Sequence, residues 1–146
     1  MEINNLTINK IHESLLKKDF SALEITKAYL EQIKKKDKAV CAFLNIAEDL
    51  AISQAKEVDR LISEGKKIPI LAGVPCAIKD NILIEGAKCT AGSKILEDYV
   101  APYDATVIKK LKSEGAVILG KTNLDEFAMG ASTENSAFKL TRNPID

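Results

Sequence analysis

The run Val74-Pro75-Cys76-Ala77-Ile78 has little polarity and ends in Lys79-Asp80-Asn81. In open α/β sheets, ligands bind beyond the carboxyl ends of strands, so a lysine at such an end stands where reactions are carried out. Burial strips a lysine of solvent and disfavours its charged form. To act as a general base near pH 7, a lysine must titrate about 3 pH units below its usual ~10.4, at about 1.36 kcal/mol per unit. A neutral lysine can then activate a serine hydroxyl. The competing reading is a lysine paired with Asp80 or another carboxylate at the strand end. Lys121 also follows an apolar run and carries the same two readings, the structural one more strongly.

A second pattern invites phosphate chemistry. Gly115-Ala116-Val117-Ile118-Leu119-Gly120-Lys121-Thr122 satisfies the letters of a phosphate-binding loop, GxxxxGK[ST]. A working loop needs a strand before the first glycine, a helix after the lysine, and middle amides turned to phosphate oxygens. Here a helical pattern precedes Gly115, and the middle residues are Ala-Val-Ile-Leu. The expected structure is a helix end followed by a core strand, with no nucleotide held there.

Thiol and metal chemistry find less support. The chain has 3 cysteines and 1 histidine. Cys41, Cys76 and Cys89 form no CxxC pair, which fits neither a disulfide framework nor a zinc site. His12 lies in a helical segment and offers Cys76 no evident dyad, so no metal site and no thiol nucleophile are expected. The cysteine pattern points to a reducing, cytoplasmic setting. Met1-Glu2-Ile3-Asn4-Asn5 shows neither the basic nor the apolar region of a signal peptide, and no apolar run approaches the ~20 residues of a membrane helix.

The elements that must position these residues follow from periodicity. Ile8, Ile11, Leu15 and Leu16 make a helical face. Ser21-Ala22-Leu23-Glu24 has the form of a capping box. Ile25, Ala28, Tyr29 and Ile33 continue the second helix, with Lys34-Lys35-Lys36 expected in its last turn. Residues 40–44 predict a strand, and residues 46–64 predict a helix closed by Gly65. Residues 66–69 form a polar link. Residues 70–78 predict a strand that Pro75 confines to an edge or an irregular position. Residues 105–114 predict a helix with Asp104 as N-cap, and residues 116–120 a buried strand. Between them, residues 80–103 leave room for an extra hairpin, and residues 125–129 for one helical turn.

Strand, crossover helix, strand is the grammar of a helix-covered parallel α/β sheet. The 146 residues carry 21 Lys+Arg and 21 Asp+Glu, for a formal net charge of zero. That balance argues against gripping nucleic acid by bulk electrostatics. With 46% hydrophobic residues, intrinsic disorder is excluded.

Two blocks carry a resemblance. Leu71-Ala72-Gly73-Val74-Pro75-Cys76-Ala77-Ile78-Lys79-Asp80-Asn81 resembles the opening motif of the amidase signature family. Gly120-Lys121-Thr122-Asn123-Leu124-Asp125-Glu126-Phe127-Ala128-Met129-Gly130 resembles its second block, continued by Ala131-Ser132-Thr133-Glu134-Asn135-Ser136-Ala137-Phe138 and Arg142-Asn143-Pro144. Residues 125–138 are most similar to the branch of the family that serves tRNA-dependent amidotransferases.

The resemblance implies an α/β fold. Residues 1–66 would form an N-terminal helical segment, and residues 67–146 the first part of a mixed, helix-covered sheet that is incomplete here. It implies amide hydrolysis through a Ser–cis-Ser–Lys triad and an acyl-enzyme, with Lys79 as the base working through the bridging serine. Met129 and Gly130 would lie on the substrate side. In that branch, glutamine or asparagine yields ammonia. The B and C subunits of the amidotransferase are partners in the complex. ATP and magnesium belong to the B partner, and misacylated tRNA is met through the complex.

The sequence departs from the family in two places. The Gly/Ser-rich block that supplies both triad serines is not among these residues, and Ser132 and Ser136 do not match them. The 146 residues are therefore expected to be inactive alone. Lys139-Leu140 stands where Gly-Pro is usual. Two alternatives remain at this level: the N-terminal part of another amide hydrolase of the family, and a non-catalytic domain that binds a partner.

Overall fold

The computed structural model describes Ile3 and residues 5–145; Met1, Glu2 and Asn4, read above for a leader, and Asp146 lie outside the described residues. Among these, the order is α1 (Ile8–Lys17), α2 (Ala22–Val40), β1 (Phe43–Ile46), α3 (Glu48–Ser63), β2 (Pro75–Lys79), α4 (Thr106–Ser113) and β3 (Val117–Thr122), with short 3-10 turns at Lys94–Leu96 and Glu126–Ala128. The chain divides into two compact units. One comprises Met1–Ile33, Ala47–Cys76 and Lys110–Leu119; the other comprises Lys34–Ile46, Ala77–Lys109 and Gly120–Asp146.

The first unit is built on helical stripes. Thr7 caps α1 by accepting the Lys10 amide at 3.3 Å. Ile11 and Leu15 of the predicted face are buried, whereas Ile8 and Leu16, expected on the same face, are exposed because only a narrow stripe of this short helix meets the core. The capping box forms as expected: the Ser21 amide donates to the Glu24 carboxylate at 2.8 Å, and the Glu24 amide to Ser21 Oγ at 3.1 Å. Asp59 of α3 adds a cap that the spacing does not reveal, accepting from the Ala22 and Leu23 amides at 2.7 and 3.0 Å. Ile25, Leu30, Ala51, Ala55, Val58, Val117 and Ile118 fill the core of this unit. Small residues on α3 allow close approach, and burying each large aliphatic side chain contributes about 1.5–3 kcal/mol.

Several boundaries move. α2 runs to Val40, so Lys34-Lys35-Lys36 lie inside it rather than in its last turn. The stop comes at Cys41, whose φ is 58°, and Asp37 takes the Ala42 amide at 2.7 Å. The strand expected at 40–44 therefore begins at Phe43, and α3 begins at Glu48. Residues 70–73 turn instead of extending, with Ala72 donating to the Pro69 carbonyl and Val74 to that of Leu71. Pro75 is the first residue of β2, where its missing N–H costs no ladder bond.

The sheet order is β1-β3-β2, so β2 is an end strand, as Pro75 requires. β1 pairs antiparallel with β3, Phe43 opposite Thr122 and Ile46 opposite Gly120. Gly120 is needed there, because a Cβ would stand 2.3 Å from the Asn45 carbonyl oxygen. β2 and β3 run in the same direction. Val117 donates to the Val74 carbonyl near one end, and Asp80 to that of Thr122 at the other. The predicted strand–helix–strand unit is thus β2, α4, β3. Between β2 and α4 there is no hairpin of full strands among the described residues, only a single antiparallel bridge, Lys88 with Val100. The turn expected at 125–129 is a tight 3-10 turn with Phe127 at φ 52°.

Candidate functional site

The end of β2 alternates as a strand must. Ile78 points inward, Lys79 is exposed, and Asp80 is buried. Lys79 makes no ion pair among the described residues. Asp80, the partner expected for Lys79 in the structural reading, is held elsewhere: its Oδ1 lies 3.0 Å from Lys121 Nζ. Its Oδ2 accepts the Thr90 amide at 2.9 Å and the Thr90 hydroxyl at 2.5 Å. Lys121 Nζ also donates to the Lys88 carbonyl at 3.3 Å. Both side chains of the pair are almost wholly buried, 1% exposed for Lys121 and 2% for Asp80. The backbone of Asp80 joins the same knot, its carbonyl accepting from the Ala91 amide and the Cys89 thiol.

Of the two strand-end lysines, then, the exposed one is Lys79 and the buried, paired one is Lys121. Lys121 lies within β3 rather than beyond it. Sequence reasoning missed this knot. The available signal was a lysine in an otherwise apolar buried strand, which demands a counter-charge.

The phosphate-loop letters fold as a helix end and a strand. Gly115 has φ 72° past the end of α4, and its amide donates to the Lys112 carbonyl. The amides that follow are engaged, Val117 with the Val74 carbonyl and Ile118 with Gln54 Oε1 at 2.8 Å.

A second carboxylate organises the loop after β3. Asp125, 3% exposed, accepts the backbone amides of Ser132 (3.0 Å), Thr133 (2.9 Å) and Asn135 (2.9 Å). These bonds, the Asn135 amide foremost, hold its carboxyl below the usual carboxylate range. Gly130 lies against it: a Cβ there would stand 2.4 Å from the Asp125 carboxyl carbon. Met129, at 74% exposed, does not fill the core. The two substrate-side candidates thus sit on a loop shaped by Asp125. Ser132 and Ser136 spend their hydroxyls locally, on Glu134 at 2.9 Å and Asn123 at 2.6 Å. Burial pushes the Cys76 thiol up to about 11, away from thiolate chemistry.

Beside the knot is a cavity of about 340 Å³ lined by Asn45, Asp80, Lys88, Thr90, Phe138 and Lys139, among others. No helix among the described residues is long and apolar enough to cross a membrane.

Lys79 at the end of β2 and the Asp125-shaped loop after β3 are thus carried by a helix-bearing mixed sheet. Residues 24–146 match the family described as Amidase, and the chain belongs to that family. It is 55% identical over all 146 residues to the glutamyl-tRNA(Gln) amidotransferase A subunit of Thermoanaerobacter pseudethanolicus. It is 52% identical, over the same length, to the A subunit numbered 2 of the glutamyl-tRNA(Gln) amidotransferase of Clostridium acetobutylicum. It spans 30% of the length of each. Among solved structures it is similar to the glutamyl-tRNA(Gln) amidotransferase A subunit of Thermotoga maritima, with a TM-score of 0.75 and 40% identity. That match covers 100% of this chain and 29% of the other.

Proposed function

We propose that this chain is the N-terminal part of an amidotransferase A subunit, with residues 1–66 as its helical entry and residues 67–146 as the first part of its catalytic core. The observation that carries the reading is the similarity across all 146 residues to proteins named as the A subunit of glutamyl-tRNA(Gln) amidotransferase, including the block that bears Lys79. In the intact subunit, Lys79 takes a proton through a bridging serine, and a second serine attacks the amide carbon of glutamine or asparagine. Backbone amides stabilise the oxyanion, ammonia leaves, and water releases the acyl group. Both serines come from a Gly/Ser-rich block outside these 146 residues. Met129 and Gly130 contribute to the substrate side.

Ammonia then passes to the B partner, which uses ATP and magnesium to amidate Glu-tRNA(Gln), with the C partner joining the two in the cytoplasm. Assaying the intact enzyme with and without its B and C partners tests this. Ammonia release from glutamine coupled to Gln-tRNA(Gln) formation in the complex is the expected result. Hydrolysis of simple amides by the intact protein on its own, with no tRNA product in the complex, would instead make it a stand-alone amide hydrolase.

A further inference from the structure

Lys79 and Asp80 are neighbours in the chain, with Cα atoms about 3.8 Å apart. Their side chains leave opposite faces of the strand, so the two charges stand farther apart than that, and an uncompensated carboxylate at a separation comparable with a Debye length of about 8–10 Å still favours the protonated form of a lysine. A lysine meant to lose its proton should not have one beside it. Here the Asp80 charge is cancelled on the inner face of the strand by Lys121, while Lys79 leaves on the outer face.

We infer that Lys121 is a positioning residue for Lys79, neutralising Asp80 and anchoring the end of β2 so that Lys79 is left unpaired. This rests on the proposed role of Lys79 as a base. Three observations carry it. Asp80 directs all its side-chain bonds to Lys121 and Thr90. Lys121 is 1% exposed and has no outlet to solvent. Lys79 has no ion pair among the described residues.

The other titratable groups near the knot are accounted for. The Cys89 thiol bonds the Asp80 carbonyl. Lys88 pairs with Asp98 at 3.2 Å, and Glu97 with Lys94 at 2.8 Å. Lys139 shares the adjoining cavity.

The test is an NMR titration of the Lys79 side-chain ammonium in the intact subunit, in native protein, in Lys121→Met and in Asp80→Asn/Lys121→Met. With Lys121 gone and Asp80 still charged, the Lys79 midpoint should rise by about half a pH unit. With both charges removed it should return to the native value. An unchanged midpoint in Lys121→Met, or a double variant displaced as far as the single, would overturn the inference. Should Lys121→Met fail to fold, Lys121→Gln is titrated in its place against native protein, with the same rise expected and an unchanged midpoint refuting the inference. A purely structural pair would alter melting without this pattern of loss and return. The titration reads Lys79 directly, so its outcome is independent of whether the intact enzyme releases ammonia from glutamine.

Discussion

Asp80 and Asp125 are the same residue type, buried to nearly the same degree, at 1% and 3% exposure. They are satisfied by opposite means. Asp80 is held by side chains, the Lys121 ammonium and the Thr90 hydroxyl, with one amide added. Asp125 is held by a fan of backbone amides from 132, 133 and 135. The first arrangement joins β2, β3 and the 88–91 segment into a fixed frame. The second bends a loop around one carboxylate. The frame therefore depends on the identity of several residues, whereas the loop depends chiefly on Asp125 itself and on Gly130 beside it.

The difference can be broken experimentally. The largest effect is expected for Lys121→Met, which leaves Asp80 buried and uncompensated. Chemical denaturation should register a loss of about 3–5 kcal/mol, much of it recovered in Asp80→Asn/Lys121→Met. Thr90→Val removes one charge-assisted hydrogen bond and should cost about 1.5–3 kcal/mol by the same measurement. Ser132→Ala, by contrast, keeps the amide that Asp125 uses and should change stability by no more than about 0.5 kcal/mol. Equal losses in Thr90→Val and Ser132→Ala would dissolve the distinction between the two carboxylates.

Acid sharpens it further. The Asp125 carboxyl is held below its ordinary value by amide bonds, so its contribution is fully present above the unfolded carboxylate range, around pH 4. It is lost as pH falls through the lower folded value. Melting curves of native protein and Asp125→Asn should therefore converge as pH drops below about 4 and diverge above it. Parallel curves across that range would contradict the network.

What the sequence makes legible is what local chemistry dictates. The Ser21–Glu24 box, the α1 stripe of Ile11 and Leu15, the edge position imposed by Pro75 and the helix end at Gly115 all depend on neighbours a few residues away. The end of α2 is local as well, with Asp37 taking the amides of Ala42 and Phe43 five and six residues on, but apolar periodicity does not record such a cap. The length of β3 is hidden for a different reason, since Lys121 reads as a terminus until its distant partner Asp80 is known. The site shows the same split. Lys79 stands out by its place after an apolar run, yet the choice between a free lysine and one paired with Asp80 stays open until Lys121 takes the aspartate.

In the function proposed here, Lys79, not Lys121, is the base of the intact enzyme. Ammonia release from glutamine by that enzyme in its complex tests it most directly, comparing native protein with Lys79→Met. The variant should remain folded, by circular dichroism and assembly with its partners, while losing about 10²–10⁴-fold in rate. Near-native ammonia release by a folded Lys79→Met enzyme would contradict it.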